Sequence, residues 1–399
     1  MTVSRIDSMI CSQENLTELT RKKIQDIQLK KLNVLLAREK ERAGFYSGLP
    51  EHLESLVELS DLPFTTEKNL KEHAPGMLLV SQSDIRRVIT DRTSGTTGLS
   101  KRVFYTEGDC ESTVQLFMAG LGELVYPGNV TMICMPFSGH FGLGELIAEA
   151  IERLGAKPLK IGVGKTYGQL KQILFSEYPD TYVGMPVPLF SMLRFCGRGT
   201  LRRALVSGDA CPESVIHECG RILETELFPH YGSREMGLAG AICCQQHEGM
   251  HLRENHTIAE IIGEDGMPVP PGEFGELVIT TIGAEAMPLI RYRTGDRTRI
   301  LAGSCPCGSC TLRLDRLTRV ETAEMERMDE MVFSLPGLVD WEVCKVGDTT
   351  KILALTDGTL TPEVIEAVLP HSTEISVRVV TDDDRPLYPG KRAVKHRSL

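Results

Sequence analysis

The run VTMICMPF (130–137) is followed by GELIAEAIERL (144–154), KPLKIGV (157–163), YGQLKQILFSEY (167–178), TYVGMPV (181–187) and RRALVSG (202–208). Four of these runs are short, apolar and β-branched. They alternate with two stretches whose apolar residues recur every three or four positions. Short apolar runs bounded by turn residues mark strands buried on both faces, and their alternation with helices builds a parallel sheet covered on both sides. The expected fold is therefore α/β, with a large N-terminal domain of mixed and parallel sheets flanked by helices. Sites in such sheets gather at the carboxyl ends of strands. SGD (207–209) and YGSRE (231–235) each follow an apolar run, where such a site would lie.

Beyond Glu248 the texture changes. HTIAEII, GELVITTIG and RTRILAG read as strands separated by turn-rich segments such as EDGMPVPPGEFG, which predicts an antiparallel β subdomain. From about Asp315 the chain reads as a small α+β unit, with WEVCKVG, KILALTDG and EISVRVV as strands around the helix TPEVIEAVL. A boundary near Leu314–Arg319 divides the chain into 1–315 and a small C-terminal domain, 316–399, which the family resemblance described below implies is mobile. There is no internal repeat.

At 399 residues the chain can bury a large core, and its net charge of −10 argues against a nucleic-acid surface. The basic stretch Arg21–Arg42 is interrupted by Asp26, Glu39 and Glu41. Leu29, Leu32, Leu35, Leu36 and Ala37 recur there at helical spacing, so it reads as a solvated amphipathic helix. No segment has the length of a signal-peptide apolar core or of a membrane span. The expectation is a cytoplasmic protein whose 12 cysteines are buried thiols, catalytic groups or metal ligands rather than disulfides.

Thr93-Ser94-Gly95-Thr96-Thr97-Gly98, followed by Leu99-Ser100-Lys101, packs hydroxyls, glycines and one lysine into nine residues. Glycine lets a backbone approach an anion closely, successive N–H groups can form an anion nest, and Lys101 adds charge. No Walker register fits, and the strand-like VFYT follows where a helix would be needed. Alone, such a run reads more readily as a flexible loop. Its companions decide the reading: SGTTG and a lysine, then SGD, YGSRE and YRTGD in that order resemble the adenylate-forming superfamily. Within it, the chain most resembles the phenylacetate–CoA ligase family, from DLPFTTEKNL (61–70) through MPLIRYRTGD (287–296).

The resemblance implies roles that chemistry can be asked to justify. A carboxylate attacking the α-phosphate of ATP builds charge on phosphate oxygens, which fixed donors, cations and Mg²⁺ stabilise. Thr93 to Gly98 would wrap the phosphates, and Glu235 would hold Mg²⁺ through oxygen, the ligand that hard cation takes. Asp296 would accept the ribose hydroxyls. Ser207, Gly208, Asp209, Tyr231 and Gly232 would line the adenine pocket. Arg234 stands where the family has Thr or Ser at the α-phosphate; either it or Ser233 would make that contact. Arg319 lies near the family's hinge, and Lys391 in Pro389-Gly390-Lys391 resembles its terminal catalytic lysine, with a basic solvated tail as the alternative. The acyl pocket is expected around Phe137, His140, Phe141, Gly184, Met185 and Pro186, as an apolar slot for an aryl or arylacetic acid.

Two further clusters carry metal-ligand chemistry: Cys243-Cys244-Gln-Gln-His247-Glu-Gly-Met-His251 and Cys305-Pro-Cys307-Gly-Ser-Cys310. Structural zinc takes four such ligands, usually as two short pairs. Spacing alone would choose Cys307 with Cys310. The resemblance selects Cys244, His251, Cys305 and Cys307, with His247 and Cys310 in reserve. The expected activity is ATP-dependent acid–CoA ligation with AMP and pyrophosphate as by-products, using ATP, Mg²⁺, CoA and structural Zn²⁺. The alternatives are an adenylating enzyme with another acceptor and a zinc-stabilised nucleotide-binding module without catalysis. The expected partners are the acid, ATP and CoA, with neither nucleic acid nor membrane; a homodimer is left open.

Overall fold

The four apolar runs become parallel strands: Val130–Cys134, Lys157–Lys160, Thr181–Gly184 and Arg203–Val206. The computed structural model describes residues 4–90, 100–224, 226–319, 322–346, 349–369, 374–388 and 390–397. It divides into two units, Met1–Glu123 with His230–Leu317, and Leu124–Pro229 with Thr318–Leu399. The expected phosphate loop, Thr93 to Gly98, lies outside the described residues, as does Pro389.

In the second unit the strand beginning at Leu227 adds to the parallel set beside Arg203–Val206. Thr181–Gly184 and Val130–Cys134 follow, and Lys157–Lys160 forms the edge. Thr181–Gly184 is buried at every position, as an inner strand with both faces covered must be. Thr131 and Thr181, paired in register, share a hydroxyl hydrogen bond of 2.7 Å. The crossovers are the helices Leu143–Arg153, Tyr167–Ser176, Pro186–Cys196 and Glu213–Leu223. Thr166 and Gln169 form a capping box at the start of the second, and Pro186 opens the third at a position that needs no N–H donor.

The C-terminal part of this unit pairs Leu338–Val346 with Thr349–Thr356 antiparallel. Glu374–Val379 and Lys395–Arg397 are added parallel at either side. Its helix Ala323–Val332 and sheet share one apolar core with the helix Pro186–Cys196, through Phe190, Leu193, Met325, Phe333 and the single tryptophan, Trp341. Phe190 and Phe333 meet edge to face at 5.0 Å, the arrangement their quadrupoles favour.

In the first unit the basic stretch is the helix Arg21–Arg42, capped by Thr20. Ile24, Gln28, Leu32, Leu35, Leu36 and Glu39 are its buried stripe. The strands Arg87–Thr90 and Arg102–Tyr105 pair antiparallel and bracket residues 91–101. Ile258–Ile262, Gly275–Thr280 and Tyr292–Thr298 form an antiparallel sheet. Here the sequence reading needs correction: RTRILAG (297–303) supplies only the end of the last strand, which begins at Tyr292, and Ile300 makes an isolated bridge to Leu314. The turn-like Thr294-Gly295 hides that earlier start, because a bulge and not a turn sits there. Ala241–Cys243, Met250–Leu252 and Arg313–Leu314 pair antiparallel beside His230–Tyr231. Among the described residues no helix is long and apolar enough to cross a membrane.

Candidate nucleotide site and thiol–imidazole cluster

Strand Leu227–Tyr231 ends at Tyr231, and the chain turns sharply through Gly232 and Ser233 into a single 3₁₀ turn, Arg234–Met236. A methyl group on Gly232 would lie 2.2 Å from the Leu238 carbonyl oxygen, so only glycine allows this close return of the backbone. The turn is held from outside: the Tyr105 hydroxyl donates to the Arg234 carbonyl at 2.7 Å, and the Thr113 hydroxyl donates to that of Gly237.

The turn delivers Glu235 into a buried position, where Lys101 Nζ lies 2.7 Å from its Oε1. Burial pushes the carboxyl pKa up, but the charge and contact of Lys101 outweigh it and hold Glu235 below the usual value. The buried Ser233 hydroxyl also helps keep Glu235 ionised. Arg234 lines a small cavity with Tyr105, Glu235, Arg253 and His256. Burial lowers the pKa of Arg253 to about 10 and drives that of His256 down, so the imidazole is neutral.

Asp296 comes from a different element of the same unit. In the strand Tyr292–Thr298, Arg293 pairs with Val278 and Arg297 with Glu276, which leaves Thr294, Gly295 and Asp296 opposite Leu277 alone. Gly295 takes φ of +73°, the left-handed conformation that lets the strand bulge, and its N–H donates to Glu276. A bulge re-aims side chains. Asp296 is thereby brought to Tyr231, whose hydroxyl donates to Oδ2 at 2.7 Å. Tyr231, expected at the adenine, thus also orients the ribose candidate.

The remaining nucleotide candidates belong to the second unit. Ser207, Gly208 and Asp209 follow the parallel strand Arg203–Val206, and the Ser207 N–H donates to the Gly184 carbonyl at 3.0 Å. Burial raises the Asp209 pKa to about 6, against hydrogen bonds from the Arg392 and Ala210 backbone N–H groups at 2.8 and 3.0 Å. Lys391 is exposed, and its charge acts on Asp209. Arg319 sits in the short strand Thr318–Arg319, where its N–H donates to Glu326.

The acyl candidates separate. Met185 lines an apolar cleft with Cys134, Tyr182, Leu170, Met192 and Tyr388, and Lys165 is the only charged wall residue among the described residues. Phe137 packs its ring against Gly144 instead, while exposed His140 sits edge to face with Phe141. Gly184 and Pro186 flank Met185; Gly184 abuts the Tyr182 hydroxyl so closely that a Cβ would be 2.2 Å away.

The first unit also gathers Cys244, His251, Cys305 and Cys307, with all four ligand atoms within 4.8 Å of one another. His251 lies on the middle one of three antiparallel strands, paired with Ile242 and Arg313. Cys244 Sγ is 3.7 Å from Cys305 Sγ, and Cys307 Sγ is 3.4 Å from His251 Nε2. The other imidazole nitrogen, Nδ1, meets Thr311 Oγ1 at 2.9 Å, which fixes the ring's orientation. Neither reserve residue joins them. His247 Nδ1 lies 3.7 Å from Cys243 Sγ, and the Cys310 N–H donates to Asp7. Burial pushes the Cys244 and Cys307 thiols up to about 11 and 12 and lowers His251 to about 4.

Residues 91–286 match the family model described as AMP-binding enzyme. The phenylacetate-coenzyme A ligase of Thermus thermophilus is 27% identical, over 93% of this chain and 87% of the relative. That of Escherichia coli is 29% identical, over 72% and 66%. Among solved structures, a 2-hydroxyisobutyryl-CoA ligase in a postadenylation state superposes with a TM-score of 0.77 at 17% identity. The match covers 95% of this chain and 91% of that one, a likeness of fold.

Proposed function

We propose that this chain, a member of the phenylacetate–CoA ligase family of adenylate-forming enzymes, activates a carboxylic acid with ATP and passes the acyl group to CoA, releasing pyrophosphate and AMP. The observation that carries this reading is Glu235: a buried carboxylate, kept ionised by Lys101 at 2.7 Å. A hard oxygen donor so placed fits Mg²⁺. Bound there, the ion would supply charge neutralisation for the phosphate oxygens.

The protein's own groups then have separable tasks. Asp296, oriented by Tyr231, binds the ribose, since an ionised carboxylate accepts several hydrogen bonds at once. Lys101 changes partner from Glu235 to phosphate as the nucleotide enters. Ser233, whose buried hydroxyl lies beside the Glu235 carboxylate, is the better candidate for the α-phosphate, with Arg234 held by its backbone at Tyr105. Lys391 neutralises charge as the acid's carboxylate attacks the α-phosphorus and pyrophosphate departs. We assign the acid an aryl or arylacetic skeleton, with Met185 in its pocket, and residues 316–399 the part of the small C-terminal domain.

We further propose that Cys244, His251, Cys305 and Cys307 hold a structural zinc ion. Tetrahedral bonds of about 2.3 Å to sulfur and 2.0 Å to nitrogen place two sulfurs about 3.8 Å apart, and sulfur and nitrogen about 3.5 Å apart. The separations of 3.7 and 3.4 Å fit both. Four protein ligands leave no open position, so the ion staples loops and takes no part in catalysis.

The deciding experiment is acid-dependent exchange of labelled pyrophosphate into ATP over a panel of aryl, arylacetic and aliphatic acids, followed by CoA addition and detection of thioester. Exchange that disappears in Glu235→Gln supports the reading. Absence of exchange with every acid, or full activity in that variant, overturns it.

A further inference from the structure

Arg392 follows Lys391 directly and is 4% exposed. Its guanidinium grips Asp329 with both arms, Nε to Oδ2 at 2.9 Å and Nη2 to Oδ1 at 2.8 Å, and Nη2 also donates to the Trp341 carbonyl at 3.1 Å. A second buried carboxylate, Asp340, lies 3.6 Å from Nη1. Three rings enclose the cation: Tyr388 at 4.3 Å, Phe333 at 5.1 Å and Trp341 at 5.6 Å. Burying such charges costs several kcal/mol per ion, and apolar side chains of the same volume often stabilise as well or better. What the arrangement provides is a fixed position, because a guanidinium in a two-point fork has little freedom left.

That position is transmitted to the backbone. The Arg392 N–H donates to Asp209 Oδ2 at 2.8 Å, which ties the peptide joining Lys391 and Arg392 to the Ser207-Gly208-Asp209 turn. Downstream, the Tyr388 hydroxyl donates to the Ala393 carbonyl, and Lys395–Arg397 pairs with Leu338–Val346. The Lys391 Cα is one peptide, about 3.8 Å, from the anchored Arg392 Cα. Lys391 itself stays exposed while its neighbour is clamped on several sides.

We infer that Arg392 is a positioning residue for the adenylation step: its buried fork with Asp329, relayed through its N–H to Asp209, holds Lys391 beside the nucleotide turn. This rests on the adenylating role proposed for Lys391. Arg392 touches no reactant, and it works through the place it gives its neighbour. A displacement of about 1 Å in a catalytic group can lower a rate on the order of 100-fold.

The test compares Lys391→Ala, Arg392→Lys and the double variant of the full chain by pyrophosphate exchange, with an acid that the wild type uses. Lysine keeps the charge but loses the fork. Arg392→Lys is expected to lower kcat about 10- to 100-fold with KM for ATP changed less than about twofold. Conversion of synthetic acyl-adenylate and CoA to thioester should be spared. The double variant should be no slower than Lys391→Ala. A double variant that suffers both losses in full, or an Arg392→Lys enzyme at the wild-type rate, overturns the inference. So does full activity of Lys391→Ala, while exchange by the wild type in the same assay keeps ATP-dependent activation standing. Should Arg392→Lys fail to fold, Asp329→Asn, which weakens the fork from the other side, decides by the same comparison.

Discussion

Replacing Lys101 by methionine removes one half of a buried ion pair and leaves the other half in place. At 2.7 Å and an effective dielectric of about 20, the direct attraction is about 6 kcal/mol, part of which offsets the desolvation of the two groups. With side chains only 15% and 7% exposed, solvent cannot replace the lost partner, and breaking such pairs costs about 3–5 kcal/mol. The expected loss of stability at pH 7, from urea midpoints, is about 3 kcal/mol. Its pH dependence has a defined sign. In the wild type the folded pKa of Glu235 lies below its unfolded value. The stabilisation is therefore present above the unfolded pKa and is lost as pH falls through the folded one. Without Lys101 the largest remaining influence is burial, opposed only by hydrogen bonds from Ser233 and the backbone, so the group shifts upward relative to the wild type. The variant should then recover stability relative to wild type as pH falls from 7 to 5. In the Glu235→Gln background the same substitution should cost under about 1 kcal/mol. A cost below about 0.5 kcal/mol at pH 7, or one equal in both backgrounds, would refute the reasoning.

Three further outcomes are expected. Gly232→Ala pushes a methyl group to 2.2 Å from the Leu238 carbonyl oxygen, so it should lower stability by about 1–3 kcal/mol and slow exchange disproportionately by shifting the Glu235 turn; an unchanged rate would contradict the role of that turn. Metal analysis should find close to one zinc per chain, released by strong chelators or by Cys305→Ser with loss of stability on the order of several kcal/mol; protein that is stable and zinc-free after metal-replete expression refutes the site. Asp340 has its pKa raised to about 6 by burial, so between about pH 4 and 6 the folded chain binds a proton that the unfolded chain has lost, and this group's contribution to stability falls as pH rises through that window. The stability difference between wild type and Asp340→Asn should shift accordingly across those pH values, and a constant difference would count against it.

The parallel strands were legible because burial on both faces leaves an uninterrupted apolar run, as in Thr181–Gly184. The helix Arg21–Arg42 was legible because one stripe repeats under its charged surface. The thiol–imidazole set followed from family order rather than spacing: Cys307 and Cys310 are the better-spaced pair, yet Cys310 turns its N–H to Asp7. Other features left no local trace. Tyr231 and Asp296 are 65 residues apart, and Arg392 and Asp329 are 63 apart. Arg392 looked like part of a solvated basic tail, because the rings of Phe333 and Trp341 and both carboxylates come from elements distant in sequence. Its local signals were a position next to Lys391 and a tyrosine, Tyr388, four residues before it.

The bulge that carries Asp296 inserts two residues rather than one, since three residues stand opposite Leu277. Side chains alternate faces with a period of two, so an even insertion leaves parity intact: Tyr292 before it and Thr298 after it are both buried. An odd insertion would turn one end of the strand inside out. Removing any two of Thr294, Gly295 and Asp296 would therefore regularise the pairing and erase the bulge while sparing the core. Removing one would damage the core as well. At this strand, the fold and the proposed ribose contact of Asp296 can be separated by counting residues.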